Sequence, residues 1–248
     1  MARRPVPAPS GPPGVEPRQQ STLEHLRSLA TQTIPPLHPA GIPFVAVPAA
    51  VAVLTRRKRW ISRPAAVLAA ASAAFFRNPG RVPPTGTGIV VAAADGEVAL
   101  VDEVVPLPEL GLGGQPVPRV STFLSVFDVH VQRVPISGIA EAVTHIAGKF
   151  LSADLPAAST DNERTSMIIR TDDGTRIGVV QIAGLIARRI VCEATPGDRL
   201  KVGDTYGLIR FGSRVDIYLP AGSVPQVQVG QRTIGGETLI ATLPQAPA

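Results

Sequence analysis

Cysteine is almost missing from this chain of 248 residues: Cys192 stands alone. A disulfide framework within the chain is excluded, and so is a cysteine-rich metal site. Histidine is scarce as well. His25, His38, His130 and His145 are too scattered to suggest a metal cluster, and His25 and His38, in the irregular N-terminal part, are expected to be solvated. Aromatic residues make up only 4%, and the one strongly basic run is flanked by apolar segments rather than interleaved with aromatics across a face, which argues against nucleic-acid binding. Apolar runs stop short of the roughly 20 residues that a spanning helix requires. Nor is a signal peptide expected, because the first apolar segment begins about 40 residues in and no small-residue cleavage site leads into a secreted domain.

What the chain does have is unevenly placed. The net charge of +5 is concentrated in the first 81 positions and the remainder is nearly balanced. Residues 1–35 are rich in Pro and Arg and are expected to be disordered, apart from a short helix over 21–32 with Ser21 and Glu24 as a capping box. Two apolar segments follow, Ala40–Leu54 and Pro64–Phe76, separated by the basic run Arg56-Arg57-Lys58-Arg59 and by Trp60. Residues 36–84 are therefore read as an apolar helical hairpin. It would lie on an anionic membrane surface, with its cations at the headgroups and Trp60 at the interface. A pair of buried core helices and a single irregular span are the competing readings.

From Gly86 onward short β-branched runs alternate with turn signals. Strands are predicted over Gly88–Ala92, Val98–Val105, Val120–Val126, Ile136–His145, Ser166–Arg170, Arg176–Ala183, Tyr206–Arg210 and Val215–Leu219. Turns are predicted at Asp95-Gly96, Asp172-Asp173-Gly174, Pro196-Gly197-Asp198 and Gly203-Asp204. This spacing argues for a mainly β (α+β) fold, with a β-sandwich or barrel-like body over residues 85–248. Asp154–Arg164 reads as a long polar loop of the kind that borders a site. Cys192, in an apolar run, reads as a small core residue.

The chemistry centres on Gly212-Ser213, at the start of the last predicted strand. Gly-Ser is a common pair and usually marks an ordinary turn. Glycine, however, tolerates backbone angles closed to other residues, so this peptide could be held strained. A serine hydroxyl after such a glycine can attack its carbonyl and move the acyl group from nitrogen to oxygen. Elimination from the resulting ester and hydrolysis then leave a pyruvoyl ketone. Two further segments are candidates. Asp95 leaves a hydrophobic strand, although Asp-Gly is also the favoured hairpin dipeptide. His130 lies in the mainly apolar run Leu124–Pro135, where a buried, satisfied histidine is the bland alternative.

Four motifs occur in order: Asp95-Gly96, Phe127-Asp128-Val129-His130-Val131-Gln132-Arg133-Val134-Pro135, Asp161-Asn162-Glu163-Arg164-Thr165 and Phe211-Gly212-Ser213-Arg214. With Phe75-Phe76-Arg77-Asn78-Pro79 they resemble the phosphatidylserine decarboxylases of the short prokaryotic (actinobacterial or archaeal-like) type. The resemblance covers about residues 40–240 and leaves the N-terminus looking like an unrelated extension. It implies a proenzyme cut between Gly212 and Ser213 into a long β chain (1–212) and a short α chain (213–248). These would remain together as a heterodimer or a higher oligomer. Ser213 would become the pyruvoyl group, the ketone that takes up the electrons left as carbon dioxide departs. An apolar pocket around Phe123–Phe127 would favour that departure.

In the family's terms Asp95 serves self-cleavage through a histidine, and His130 gives a proton to the substrate's α carbon. Longer family members carry a second histidine where this chain has Arg133. The cleavage base is therefore either His145 or His130 itself. The substrate implied is phosphatidylserine, at the cytoplasmic face of the cell membrane and held there peripherally or monotopically. Alternatives are an archaetidylserine-like lipid or a non-catalytic biotinyl or lipoyl carrier module, for which Lys149 and Lys201 lack the usual setting.

Overall fold

The computed structural model describes residues 35–153, 155, 157–185, 189–210 and 212–244. The expectations for residues 1–34, including the helix at 21–32 and His25, lie outside them. Two antiparallel helices open the described chain: α1 (Ile42–Leu54) and α2 (Arg59–Phe75). Pro43 enters α1 in its first turn, where a missing N–H costs nothing. The chain reverses at Thr55–Lys58, where the Thr55 amide and hydroxyl both donate to the Val51 carbonyl (2.9 and 2.6 Å). Ser62 Oγ then ties α2 back to the Ala52 carbonyl at 2.8 Å. The basic run thus forms the turn of the hairpin, as its position between the apolar segments predicts.

The body is antiparallel β throughout. Its large sheet has eight strands in the order β13-β2-β3-β11-β7-β6-β5-β9. These are β2 (Gly96–Val104), β3 (Val117–Leu124), β5 (Gly138–Ile146), β6 (Arg164–Arg170), β7 (Arg176–Ala183), β9 (Arg199–Leu200), β11 (Ser213–Tyr218) and β13 (Arg232–Thr233). Two small sheets complete the fold. One joins β4 (Val131–Arg133), β10 (Thr205–Ile209) and β8 (Ile190–Cys192); the other joins β1 (Ile89–Val91), β14 (Leu239–Thr242) and β12 (Val224–Pro225). The main core gathers Val120, Leu124, Ile169, Val179, Val215 and Ile217 of the large sheet with Tyr206, Ile209 and Ile240 of the small ones. The mainly β fold with an N-terminal helical hairpin is as expected from the strand spacing.

Two local expectations fail. Asp95-Gly96 is not a hairpin turn: β1 pairs with β14 and β2 with β3 and β13, so Asp95 sits where the chain passes between sheets. His38 is not solvated. It is 1% exposed, its Nδ1 accepts from the Ala40 amide (3.3 Å), and its Nε2 lies 3.2 Å from Glu193. A ring that caps a turn at one nitrogen and meets a carboxylate at the other can be buried without an unmet polar atom. Cys192 is half-buried at the edge of the main core, and burial raises its thiol pKa.

Candidate active site

β11 is the central strand of the large sheet, hydrogen-bonded on both sides. Ser213 faces Leu124 of β3 and Ala183 of β7. Its side chain is wholly buried, and its Oγ has no hydrogen-bond partner. Gly212 has φ +53, in the left-handed region that a side chain would resist. Its carbonyl oxygen rests on Gly184, where a Cβ would come within 2.1 Å of it. Glycine at 184 is therefore what lets this carbonyl sit where it does. A mostly apolar cavity of about 310 Å³ opens at Gly212, walled by Phe123, Leu124, Val126, Ala153 and Leu185. The pocket expected around Phe123–Phe127 is present, while Phe127 itself points out and is 84% exposed.

β3 runs past Ser213's neighbour Leu124 into the turn Ser125–Asp128, and His130 follows just before β4. The His130 ring is 1% exposed and lies on Phe75 of α2, with ring centres 3.9 Å apart. Its Nδ1 is 3.0 Å from the Asp128 carbonyl oxygen. A carbonyl can only accept, so in the neutral ring Nδ1 carries the hydrogen and Nε2 offers a lone pair. That Nε2 is buried and unpartnered. Burial, the largest influence, lowers the His130 pKa to about 4, against weaker opposition from Asp128. The ring is thus neutral at physiological pH and able to accept a proton. Asp128 is itself pinned: its carboxylate accepts from the Ser125 amide (2.8 Å) and pairs with Arg232. Burial works against its charge, but these partners hold its carboxyl below the ordinary range.

The other expected residues each have partners of their own. The Asp95 carboxylate is gripped by Arg81 Nη2 (2.8 and 2.7 Å) and by the Gly235 amide (2.8 Å). Burial nevertheless leaves its pKa raised. Asp95 stands two residues before Glu97, which pairs with Phe123, itself paired with Arg214. His145 is farther across the sheet. It faces Thr165, Thr165 faces Gln181, and Gln181 faces Val215, so two strands, β6 and β7, stand between it and β11. Its ring is half-exposed, bonds Thr165 Oγ1 at 3.1 Å and approaches Glu163 at 3.8 Å. Arg133 binds Asn78 and the carbonyls of Pro79 (2.7 Å) and Gly203 (3.3 Å), fastening the segment after α2 to the body.

Other residues at the site escaped sequence reasoning. Gly184 closes the apolar run of β7 and looks like any strand-ending glycine. Asn162, wholly buried, brackets Leu151 through its amide (2.9 Å) and carbonyl (2.8 Å) and reaches the Ala183 carbonyl (2.7 Å). It thereby holds the chain that follows the helical turn Ala158–Asp161 against Leu151 and Ala183. Phe75 was visible only as part of a motif. Among the described residues no group of His, Cys, Asp or Glu could hold a metal ion.

A family model described as phosphatidylserine decarboxylase matches residues 68–241. The chain is 60% identical over 243 residues to a phosphatidylserine decarboxylase proenzyme of Nocardia farcinica, covering 98% of this chain and 100% of the relative. Proenzymes of the same name from Rhodococcus erythropolis (60% over 244 residues) and Mycobacteroides abscessus (59% over 244 residues) match with the same coverage. At 98% coverage the N-terminal extension is part of the match, so it is not the unrelated addition that its composition suggested. Carrier modules are set aside by the same comparison. With a buried, unpartnered serine after a left-handed glycine at its centre, the chain belongs to the phosphatidylserine decarboxylase family.

Proposed function

We propose that this chain decarboxylates phosphatidylserine to phosphatidylethanolamine after cutting itself at Gly212–Ser213, and that Ser213 is the precursor of a pyruvoyl group. The observation that carries this reading is the Ser213 hydroxyl, buried and without a partner, beside a left-handed Gly212 whose carbonyl is held on Gly184. In the cleavage, Oγ bonds to the Gly212 carbonyl carbon and the C–N bond breaks, its nitrogen taking up a proton. Loss of the Ser213 α proton then expels Gly212 as a carboxylate, and water replaces the nitrogen as ammonia. A pyruvoyl ketone at residue 213 supplies an electron sink for the pair left by departing carbon dioxide.

His130 is the base in this reading. Its neutral Nε2 takes the serine proton in the first reaction. In the second it accepts a proton from the substrate's ammonium and returns it to the α carbon. Asp128 and Phe75 hold the ring for both tasks. Asp95 acts at one remove, fixing the crossover into β2 through Arg81 and Gly235. His145, on the far strand β5, has no part in the cut. The apolar walls of the Gly212 cavity favour loss of charge from the substrate carboxylate.

The hairpin is read as the membrane contact. α1 carries no polar side chain, yet Val47, Val53 and Leu54 are exposed (63, 65 and 84%), as are Trp60 and Val67 of α2 (78 and 69%). So large an unpartnered apolar surface marks an interaction site. Among the described residues no helix is long and apolar enough to cross a bilayer, which fits a hairpin lying in one leaflet. Arg56, Arg57, Lys58 and Arg59 suit the anionic cytoplasmic leaflet.

Denaturing mass spectrometry of the purified protein tests the first claim. Two chains divided before residue 213 are expected, with a blocked N-terminus on the shorter. Ser213→Ala should stay whole and lose decarboxylation; an active Ser213→Ala ends the pyruvoyl reading. For the membrane claim, replacing residues 56–59 by serine should weaken sedimentation with phosphatidylglycerol vesicles, at about 1 kcal/mol per charge. Binding that survives this change, and high salt, argues against headgroup attraction.

A further inference from the structure

The face of β11 turned away from Ser213 carries a buried charge cluster with no part in the chemistry above. Arg214 and Asp216 are both wholly buried. Arg214 Nε lies 2.9 Å from Asp216, and its Nη2 donates to Ser159 Oγ and to Asp216 (3.2 Å). Its Nη1 reaches two main-chain carbonyls, Ala153 at 3.1 Å and Leu155 at 3.4 Å. Arg119 of β3 joins from the other side, 3.6 Å from Asp216 and doubly bonded to Asp102 at 3.0 and 2.7 Å. Burying such groups is costly, and apolar packing often serves stability as well. Their position suggests another reason for them. Ala153 packs against Gly184, whose added Cβ would sit 3.3 Å from the Ala153 Cβ and 2.1 Å from the Gly212 oxygen. Arg214 therefore grips, through one carbonyl, the wall behind the bond to be cut.

We propose that Arg214 is a positioning residue for self-cleavage and for the mature enzyme, acting through Ala153. This rests on Gly212–Ser213 being the scissile bond. Alternation along β11 puts Ser213 on one face and Arg214 on the other, so the neighbour of the reacting residue is free to serve as its anchor. The cluster also bridges the cut. Arg214 and Asp216 belong to the short chain, whereas Arg119, Ser159, Ala153 and Leu155 belong to the long one. When the peptide bond opens, residue 213 becomes a chain end, and the bonded guanidinium next to it keeps that end in place. Only a planar fork can hold two carbonyls and a carboxylate together; a lysine ammonium on its flexible stem cannot.

The test uses the full-length protein with phosphatidylserine in mixed micelles. Arg214→Lys keeps the charge beside Asp216 and loses the fork. It should melt as a folded protein, cut itself at least tenfold more slowly, and once cut show a lower kcat with KM little changed. Ser159→Ala, a one-atom deletion, loosens the same guanidinium and should slow the cut several-fold. Ile177→Val, in the main core, supplies comparable loss of melting temperature and should cut at the wild-type rate. A wild-type cleavage rate in Ser159→Ala or in folded Arg214→Lys overturns the proposal. So does equal slowing in Ile177→Val, because the effect would then be one of stability alone. A wild-type chain that remains whole overturns the scissile-bond reading as well, whereas a cut wild type beside a normally cut Arg214→Lys overturns only the role of Arg214.

Discussion

The two faces of β11 use polar side chains in opposite ways. On the face toward the main core Ser213 leads into Val215 and Ile217, and its hydroxyl has no partner. On the reverse face Arg214 and Asp216 are held by ion pairs, a serine hydroxyl and two carbonyls. A buried polar atom without a partner is costly, so such an atom is retained where chemistry needs it free. A bonded network does the reverse and holds the backbone in one geometry. One strand therefore carries a group available to react and, one residue on, the group that keeps it there.

The sharpest way to break this contrast is at the base. His130→Ala should slow self-cleavage by about 10²–10⁴, the usual contribution of a positioned acid–base group, while His145→Ala should remain within about twofold on the same ground. A gel time course of precursor loss reads both. Slow cutting by His145→Ala would move the base to β5 and undo the separation of roles described above. The carbonyl comes next. Gly184→Ala puts a methyl where the Gly212 oxygen lies, and a misplacement on the order of 1 Å can cost about a hundredfold. Normal cleavage in that variant would mean that Gly184 does not set the scissile geometry.

The third effect is on stability. His130 falls from the ordinary 6.5 to about 4 in the folded protein. Between those values the unfolded chain binds more protons, so stability falls as pH drops from 6.5 toward 4 and the slope levels off below that. A shift of this size corresponds to on the order of 3 kcal/mol. Urea unfolding of uncut Ser213→Ala at several pH values should show the slope, and adding His130→Gln should remove most of it. His38, also lowered by burial, would account for a remainder. An unchanged slope in the double variant would mean that His130 is not buried neutral.

The hairpin, most strands and the candidate pair Gly212-Ser213 were legible because each is local. An apolar run interrupted by four cations, a period of two ended by Asp-Asp-Gly, and Gly-Ser in a string of family motifs all lie within a few residues of one another. Two- and three-residue strands such as β4, β9 and β13 were missed because they are too short to show a period. The hairpin alternative at Asp95 failed for a related reason: Asp-Gly reports a bend, and which strands flank it depends on pairing with β14, about 150 residues away by the separation of sheet partners.

By itself the sequence determined the mainly β class, the apolar hairpin and the family, and it singled out Ser213 as the candidate for the chemistry. Tertiary structure decided that His130 is buried and neutral, that Asp95 belongs to Arg81, and that Gly184, Asn162 and Arg214 shape the surroundings of the Gly212 carbonyl. Burial, tautomer and carbonyl contacts arise from strands that are neighbours in space and distant along the chain. A spacing in sequence records a side chain's kind and phase but not what lies opposite it across the sheet.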